Sequence, residues 1–199
     1  MQITVACKTE YSDDALKAID EALSSIPSNI DQQLSALGLK IILVPNMMDY
    51  CPVLKELTEE ELRQFDKNCP ALYAPLEKTV YLAEKWNGYE SLSLMQNLLN
   101  RCGYAHGRLS GVSSSEEFRQ AVAEDLKQAS AGLQIEYREL SGQPRELYAV
   151  LFSLAVTMKS GKNSDAWYES FAQIFPCTLK LVVDELRLFE KEGSERDRS

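Results

Sequence analysis

The chain has 199 residues, of which 45% are hydrophobic and 26% are charged, and its formal net charge is −9. These values suit a globular domain with a buried core, and the acidic balance argues against nucleic-acid binding because phosphate backbones repel it. The sequence opens without the basic segment and apolar run of a secretory signal, and it has no apolar stretch long enough to span a membrane. We therefore expect a cytoplasmic protein, or one exported without a cleavable signal peptide, with no nucleic-acid or membrane partner.

The N-terminal half is predicted to mix strands and helices. Residues 2–6 alternate as in a strand, and a helix begins after Ser12 and ends at Pro27. A short second helix ends at Gly38, because glycine readily takes the left-handed conformation that closes a helix. Residues 39–45 form the most strand-like run in the chain.

The remaining elements complete an α+β pattern. Residues 46–70 are predicted to be irregular apart from an acidic helix at 58–66, and residues 72–84 are predicted to form a hairpin around a proline-containing turn. After the hairpin the apolar spacing is helical, over 91–106, 115–130, 144–160, 164–173 and 177–192. We expect one domain over 1–192 and a charged tail over 193–199.

Cysteine and histidine usage limits the possible chemistry. The five cysteines are scattered and form no Cys-x-x-Cys pair, so we expect reduced thiols. His106 is the only histidine, which excludes a metal site built from two histidines of one chain. Cys102 and His106 share one helical face, where a Cys–His nucleophilic pair is one interpretation. A core thiol beside a hydrogen-bonded or surface histidine is the interpretation that we favour.

The helix containing residues 98–105 carries a resemblance to a known family. Its sequence, Leu-Leu-Asn-Arg-Cys-Gly-Tyr-Ala, resembles the Leu-Leu-His-Glu-x-Gly-His-Ala segment of the anthrax lethal factor-like zincins, which are metallopeptidase domains. The hairpin before this helix and the segment RELYAVLFSLAV (145–156) after it are similar to family segments and follow in the family's order. The resemblance implies a zincin-like metallopeptidase fold.

The resemblance also assigns positions to the former active site. Asn100 stands at the first zinc-ligand position, Arg101 at the general-base position and Tyr104 at the second ligand position. Glu146 matches the third ligand and is the one chemical residue that is kept. Catalytic zinc requires three protein ligands and a base that takes a proton from the bound water, and a permanently charged guanidinium cannot be that base. The resemblance therefore implies a degenerate member of the family, a pseudoenzyme with no catalytic residue, no zinc and no other cofactor.

The arginine suggests what replaces the metal. If the fold is kept, Arg101 and Glu146 project into the same space, and the guanidinium supplies the positive charge that a buried carboxylate requires. We expect these two side chains to meet, with the hydroxyl of Tyr104 as a third participant. The alternative is that both charged side chains point to water and never meet. We also expect a cleft that contains Val80, Tyr81 and Tyr148.

Two functions remain open on this interpretation. In the first, the chain binds a protein or peptide partner, which docks as an added strand beside the edge strand of the sheet. In the second, the chain is an enzyme with non-zinc chemistry that uses Arg101, Tyr104 and Glu146, since a fold does not fix a function. An accidental resemblance, in an α+β interaction domain, is a third possibility. The serines before residue 116 are interpreted as a capping box rather than as nucleophiles.

Overall fold

The computed structural model describes residues 2–5, 12–45, 47, 70–84, 91–130, 138–160 and 166–187. Four strands form one mixed sheet: β1 (Gln2–Val5), β2 (Lys40–Val44), β3 (Ala71–Ala74) and β4 (Thr79–Ala83). Their order across the sheet is β1-β2-β4-β3, with β1–β2 and β2–β4 parallel and the β3–β4 hairpin antiparallel. Within the described part of the chain, β3 is therefore an edge strand.

The helices cover one face of the sheet and make up the C-terminal half. They are α1 (Asp13–Ser25), α2 (Ser28–Leu37), α3 (Ser91–Ser110), α4 (Glu116–Gln128), α5 (Arg138–Ser141), α6 (Pro144–Lys159), α7 (Ala166–Ile174) and α8 (Pro176–Glu185). A 3-10 turn (Val112–Ser114) joins α3 to α4. None of the helices in these described ranges is long and apolar enough to cross a membrane.

Local sequence signals set most of these boundaries. The Ser12 hydroxyl accepts a hydrogen bond from the backbone of α1, and Gly38 closes α2 with a φ of +79°. Ser115 caps α4 by accepting from the backbone N–H of Phe118 at 3.0 Å. The third helical residue is thus Phe118, so α4 has a serine cap but not the reciprocal glutamate bond of the predicted capping box.

Most predicted elements are confirmed, and the differences have local causes. The strand at 2–6, the strand at 39–45 and the hairpin appear as β1, β2 and the β3–β4 pair. Helix α3 continues beyond the predicted end at residue 106, because the next left-handed glycine is Gly111, with a φ of +76°. The predicted acidic helix at 58–66 and the charged tail lie outside the described residues.

Helix α3 is the centre of the core and packs closely against α6. It also contacts α1, β3 and β4. A Cβ added at Gly103 would lie 2.7 Å from Cβ of Phe152, and one at Gly107 would lie 2.7 Å from Cδ1 of Tyr148. Glycines one helical turn apart therefore allow two helix backbones to approach more closely than any side chain permits. The predicted packing of these two helices is confirmed.

A buried carboxylate ties α4 to α8. Asp125 is 1% exposed. Its oxygens accept from the backbone N–H groups of Cys177 and Thr178 at 2.9 and 2.8 Å, and from the Thr178 hydroxyl at 2.6 Å. These N–H groups belong to the first turn of α8, where a helix has no internal acceptors. Asp125 thus caps a helix that is distant in sequence.

We predict that Gly103→Ala lowers the free energy of unfolding by about 1–3 kcal/mol, because overpacking against Phe152 outweighs the roughly 1 kcal/mol by which alanine favours a helix. Urea denaturation measures this loss. The double variant with Phe152→Ala should lose less than the sum of the two single losses, since it removes Cγ and Cδ1 of Phe152, which would lie 2.8 and 2.9 Å from the new methyl group. Strict additivity, or a gain of stability in Gly103→Ala, would show that the two helices are not in close contact here.

Candidate functional site

The packing of α3 on α6 brings Arg101 and Glu146 together. Nη1 lies 3.3 Å from Oε1, and Nη2 lies 3.3 Å from Oε2. The predicted contact is confirmed as a two-pronged ion pair, whose side chains are 22% and 32% exposed. Both distances exceed the roughly 2.7–2.9 Å of strong charge-assisted hydrogen bonds. The ion pair is therefore half-buried, and its two hydrogen bonds are longer than strong charge-assisted ones.

Tyr104 contacts the Arg101–Glu146 ion pair through its aromatic ring. The guanidinium carbon of Arg101 lies 6.0 Å from the ring centroid, at the outer limit of a cation–π contact. The expected participation of its hydroxyl is therefore corrected to a contact with the ring. The same ring contacts Tyr73 of β3, with centroids 6.0 Å apart and planes inclined by 56°. A continuous set of contacts thus runs from Glu146 to the edge strand.

The outer edge of β3 presents backbone groups beside this set of contacts. The N–H of Ala83 donates to the carbonyl of Pro70 at 2.8 Å, and hydrogen-bonded pairs alternate along an antiparallel ladder. Leu72 and Ala74 therefore direct their backbone groups to β4. The N–H and carbonyl of Tyr73 point to the outer edge.

The predicted cleft residues are not at this surface. Val80, Tyr81 and Tyr148 are 0%, 3% and 0% exposed, so the structure corrects their assignment to a cleft. Strand β4 lies between β2 and β3, and its side chains alternate between two faces: Val80 packs in the main core with α3, whereas Tyr81 packs on the other face beside Met47. The Tyr81 hydroxyl donates to the Glu77 carboxylate. The half-buried Tyr104 takes the place that these residues were expected to fill.

The side chains at the positions where the resemblance places the zinc ligands do not fit a catalytic zinc ion. Both carboxylate oxygens of Glu146 are bonded to Arg101, whose permanent charge repels a cation. Asn100 offers one neutral amide oxygen, which is buried and has no hydrogen-bond partner among the described residues. In those same residues no cluster of three or more His, Cys, Asp or Glu side chains is arranged to hold a metal. Imidazole and carboxylate ligands of the kind that zinc requires are thus not brought together.

His106 belongs to a buried network that the sequence did not reveal. Its Nδ1 lies 2.8 Å from the Tyr148 hydroxyl, and its Nε2 lies 3.2 Å from Oε1 of Gln33 on α2. Because Oε1 only accepts, Nε2 carries the proton and Nδ1 accepts from the tyrosine. Burial lowers the pKa of His106 to about 4. The network therefore holds a neutral imidazole between three helices.

The same burial decides between the two interpretations of Cys102 and His106. Both side chains are buried, and burial raises the pKa of the Cys102 thiol to about 12. A thiol that stays protonated is not a nucleophile. The core thiol and hydrogen-bonded histidine that we favoured are confirmed.

Comparison with known proteins supports the fold class. No family model matches the sequence, and no curated protein matches it. Among solved structures, the chain is similar to the PRO-PRO endopeptidase PPEP-2 from Paenibacillus alvei, with a TM-score of 0.66 and 20% identity over 92% of this chain and 96% of that chain. The α+β, zincin-like fold predicted from the sequence is confirmed.

The comparison contradicts the prediction that the chain is not an enzyme. The protein whose fold it shares over nearly the whole chain is an endopeptidase. That prediction was based on the loss of zinc ligands and of the general base. Side chains that do not fit zinc can still carry out other chemistry on the same fold. The geometry supports a narrower statement, that Arg101 and Glu146 hold each other where the resemblance places a metal.

We predict a coupling of about 1 kcal/mol between Arg101 and Glu146, between the values for exposed and fully buried pairs. A double-mutant cycle with Arg101→Ala and Glu146→Gln, measured by urea denaturation, gives this value. Arg119 and Glu116 on α4 are the matched control, since they also meet at 3.3 Å but are 61% and 70% exposed. Their coupling should be smaller, and equal couplings in the two cycles would contradict the half-buried pair.

We predict that acid destabilises the protein through His106. The unfolded imidazole binds a proton near pH 6.5 and the folded one near pH 4, so stability is full above pH 6.5 and is lost as the pH falls to about 4. The loss should be about 2–3 kcal/mol. Urea denaturation between pH 7 and 5 isolates this effect, because His106 is the only histidine and most carboxyl groups titrate lower. His106→Asn should remove the slope, and an unchanged slope in that variant would overturn the assignment.

Proposed function

We propose that this chain binds an extended peptide segment of a partner protein at the β3 edge site. We define this site as the outward backbone N–H and carbonyl of Tyr73 on β3 together with Tyr104, Arg101 and Glu146. The observation that carries the proposal is the contact between Tyr73 and Tyr104. It joins a strand edge with outward backbone groups to a half-buried aromatic ring and an ion pair.

Strand addition uses the two kinds of group that the site offers. An extended peptide gains main-chain hydrogen bonds from a sheet edge, here from the N–H and carbonyl of Tyr73. Its alternate side chains point to the α3 side of the sheet. One of them can cover the ring of Tyr104, whose apolar face favours contact with an apolar or ring-containing side chain.

The ion pair suits this role because its charges cancel. Covering Arg101 or Glu146 alone would remove a single charge from water, which is costly unless a partner compensates it. Here the two charges compensate each other, and Glu146 also lies in the first turn of α6, at the positive end of the helix dipole. A peptide backbone can therefore lie against the pair without supplying a charge of its own.

We predict that a bound peptide shows a period of two in its backbone requirements. A randomised, displayed library of heptapeptides selected on the full chain supplies the peptide, and fluorescence polarisation measures its affinity. Methylating single amide nitrogens along it should abolish binding at every second position and spare the positions between, because only alternate N–H groups face β3. Sensitivity at every position, at none, or the absence of any selected peptide would overturn strand addition.

The protein side of the complex supplies a second measurement. Hydrogen exchange at the Tyr73 amide should slow when the peptide is added, because that N–H becomes an inter-strand donor. Tyr104→Ala should weaken binding, whereas Tyr104→Phe, which keeps the ring, should retain it. Mass spectrometry of the same peptide after incubation tests for cleavage, the reaction named for the structural neighbour.

A further inference from the structure

A second arginine lies on the face of α3 that contains Arg101 and Tyr104. Arg108 follows Tyr104 by one helical turn, and the three residues fall within an arc of about 60° around the helix axis. We call these residues the arginine face. Arg108 is exposed, while Tyr104 and Arg101 are half-buried.

The two arginines of this face differ in whether an acidic side chain pairs with them. Arg101 is paired with Glu146, whereas Arg108 has no ion-pair partner among the described residues. The chain as a whole carries 30 acidic and 21 basic side chains. Arg108 is therefore an exposed guanidinium that no acidic side chain of the described residues neutralises, and it lies beside the proposed peptide site.

Arg108 also lies near the edge strand. Tyr73 of β3 contacts Tyr104 of the arginine face. Arg108 is about 40° from Tyr104 around the helix axis, and its positive charge opposes the rise that burial gives the pKa of Tyr73. Arg108 is thus on the side of α3 that faces the edge of β3, next to the path of an added strand.

We propose that Arg108 is a specificity-determining residue, which selects peptides carrying an aspartate or glutamate side chain in the strand that pairs with β3. This inference rests on the proposed peptide-binding function and adds the chemical class of its ligand. Arginine presents several N–H donors in a planar fork that matches a carboxylate, and the Arg108 fork is exposed and bound to no acidic side chain of the described residues.

The spacing of Tyr104 and Arg108 along α3 predicts the spacing of two side chains in the bound peptide. A helix rises 1.5 Å per residue, so Tyr104 and Arg108 lie about 6 Å apart along its axis. Two residues of an extended strand span about 6.6 Å, and residues two apart point to the same face. A strand added to β3 that followed the direction of α3 would place an apolar side chain on Tyr104 and an acidic side chain at Arg108, with one residue between them.

The first experiment is selection from the displayed heptapeptide library on the wild-type chain and on Arg108→Gln. We expect wild-type selections to be enriched in aspartate or glutamate two positions from an apolar residue, in either chain direction. The enrichment should be lost with Arg108→Gln and kept with Arg119→Gln, which removes an exposed arginine on α4. Selected peptides without an acidic preference would overturn this inference but leave the peptide-binding function standing.

The second experiment measures affinities with one selected peptide. Replacing its acidic residue by the matching amide should weaken binding to the wild-type chain about tenfold, the scale of one charge-assisted contact. The same replacement should leave binding to Arg108→Gln unchanged, and Arg108→Lys should retain part of the preference. An equal loss in wild type and Arg108→Gln would overturn the role of Arg108. Failure to select any peptide at all would instead overturn the proposed function itself.

Discussion

The close approach of α3 and α6 is the constraint on which the rest of the structure depends. Gly103 and Gly107 allow the two backbones to meet where a methyl group would collide with aromatic rings. At that distance Arg101 reaches Glu146, and His106 reaches the hydroxyl of Tyr148. A half-buried ion pair and a fully buried polar network are thus produced by one helix contact, and both would be left unsatisfied if the helices moved apart.

Local and periodic features were the parts of the fold that sequence reasoning predicted well. The hairpin, the serine caps and the left-handed Gly38 are encoded by neighbouring residues, and Glu146 was placed opposite Arg101 by the order of similar segments. Tyr148 was misjudged because a tyrosine suits both a cleft and a core, and only the path of the chain decides which. The partner of His106 on α2 was missed for the same reason, since nothing near His106 in sequence indicates Gln33.

The site combines a zincin-like fold with side chains that do not fit a zinc ion. Where the resemblance places a metal, the structure has a guanidinium, which supplies positive charge without open coordination positions. The strand edge beside it does not depend on the metal, since strand addition uses backbone groups that any sequence provides. Strand addition and metal-dependent hydrolysis therefore rely on different groups of this architecture.

The strand order has a consequence for how the chain folds. The β3–β4 hairpin is a local pairing and can form within microseconds, whereas both parallel pairings join strands separated by long stretches of chain and form more slowly. Until β4 docks on β2, the hairpin exposes two edges, and unpaired edges attract other chains. Docking of β4 on β2 therefore ends the exposure of one of these two edges.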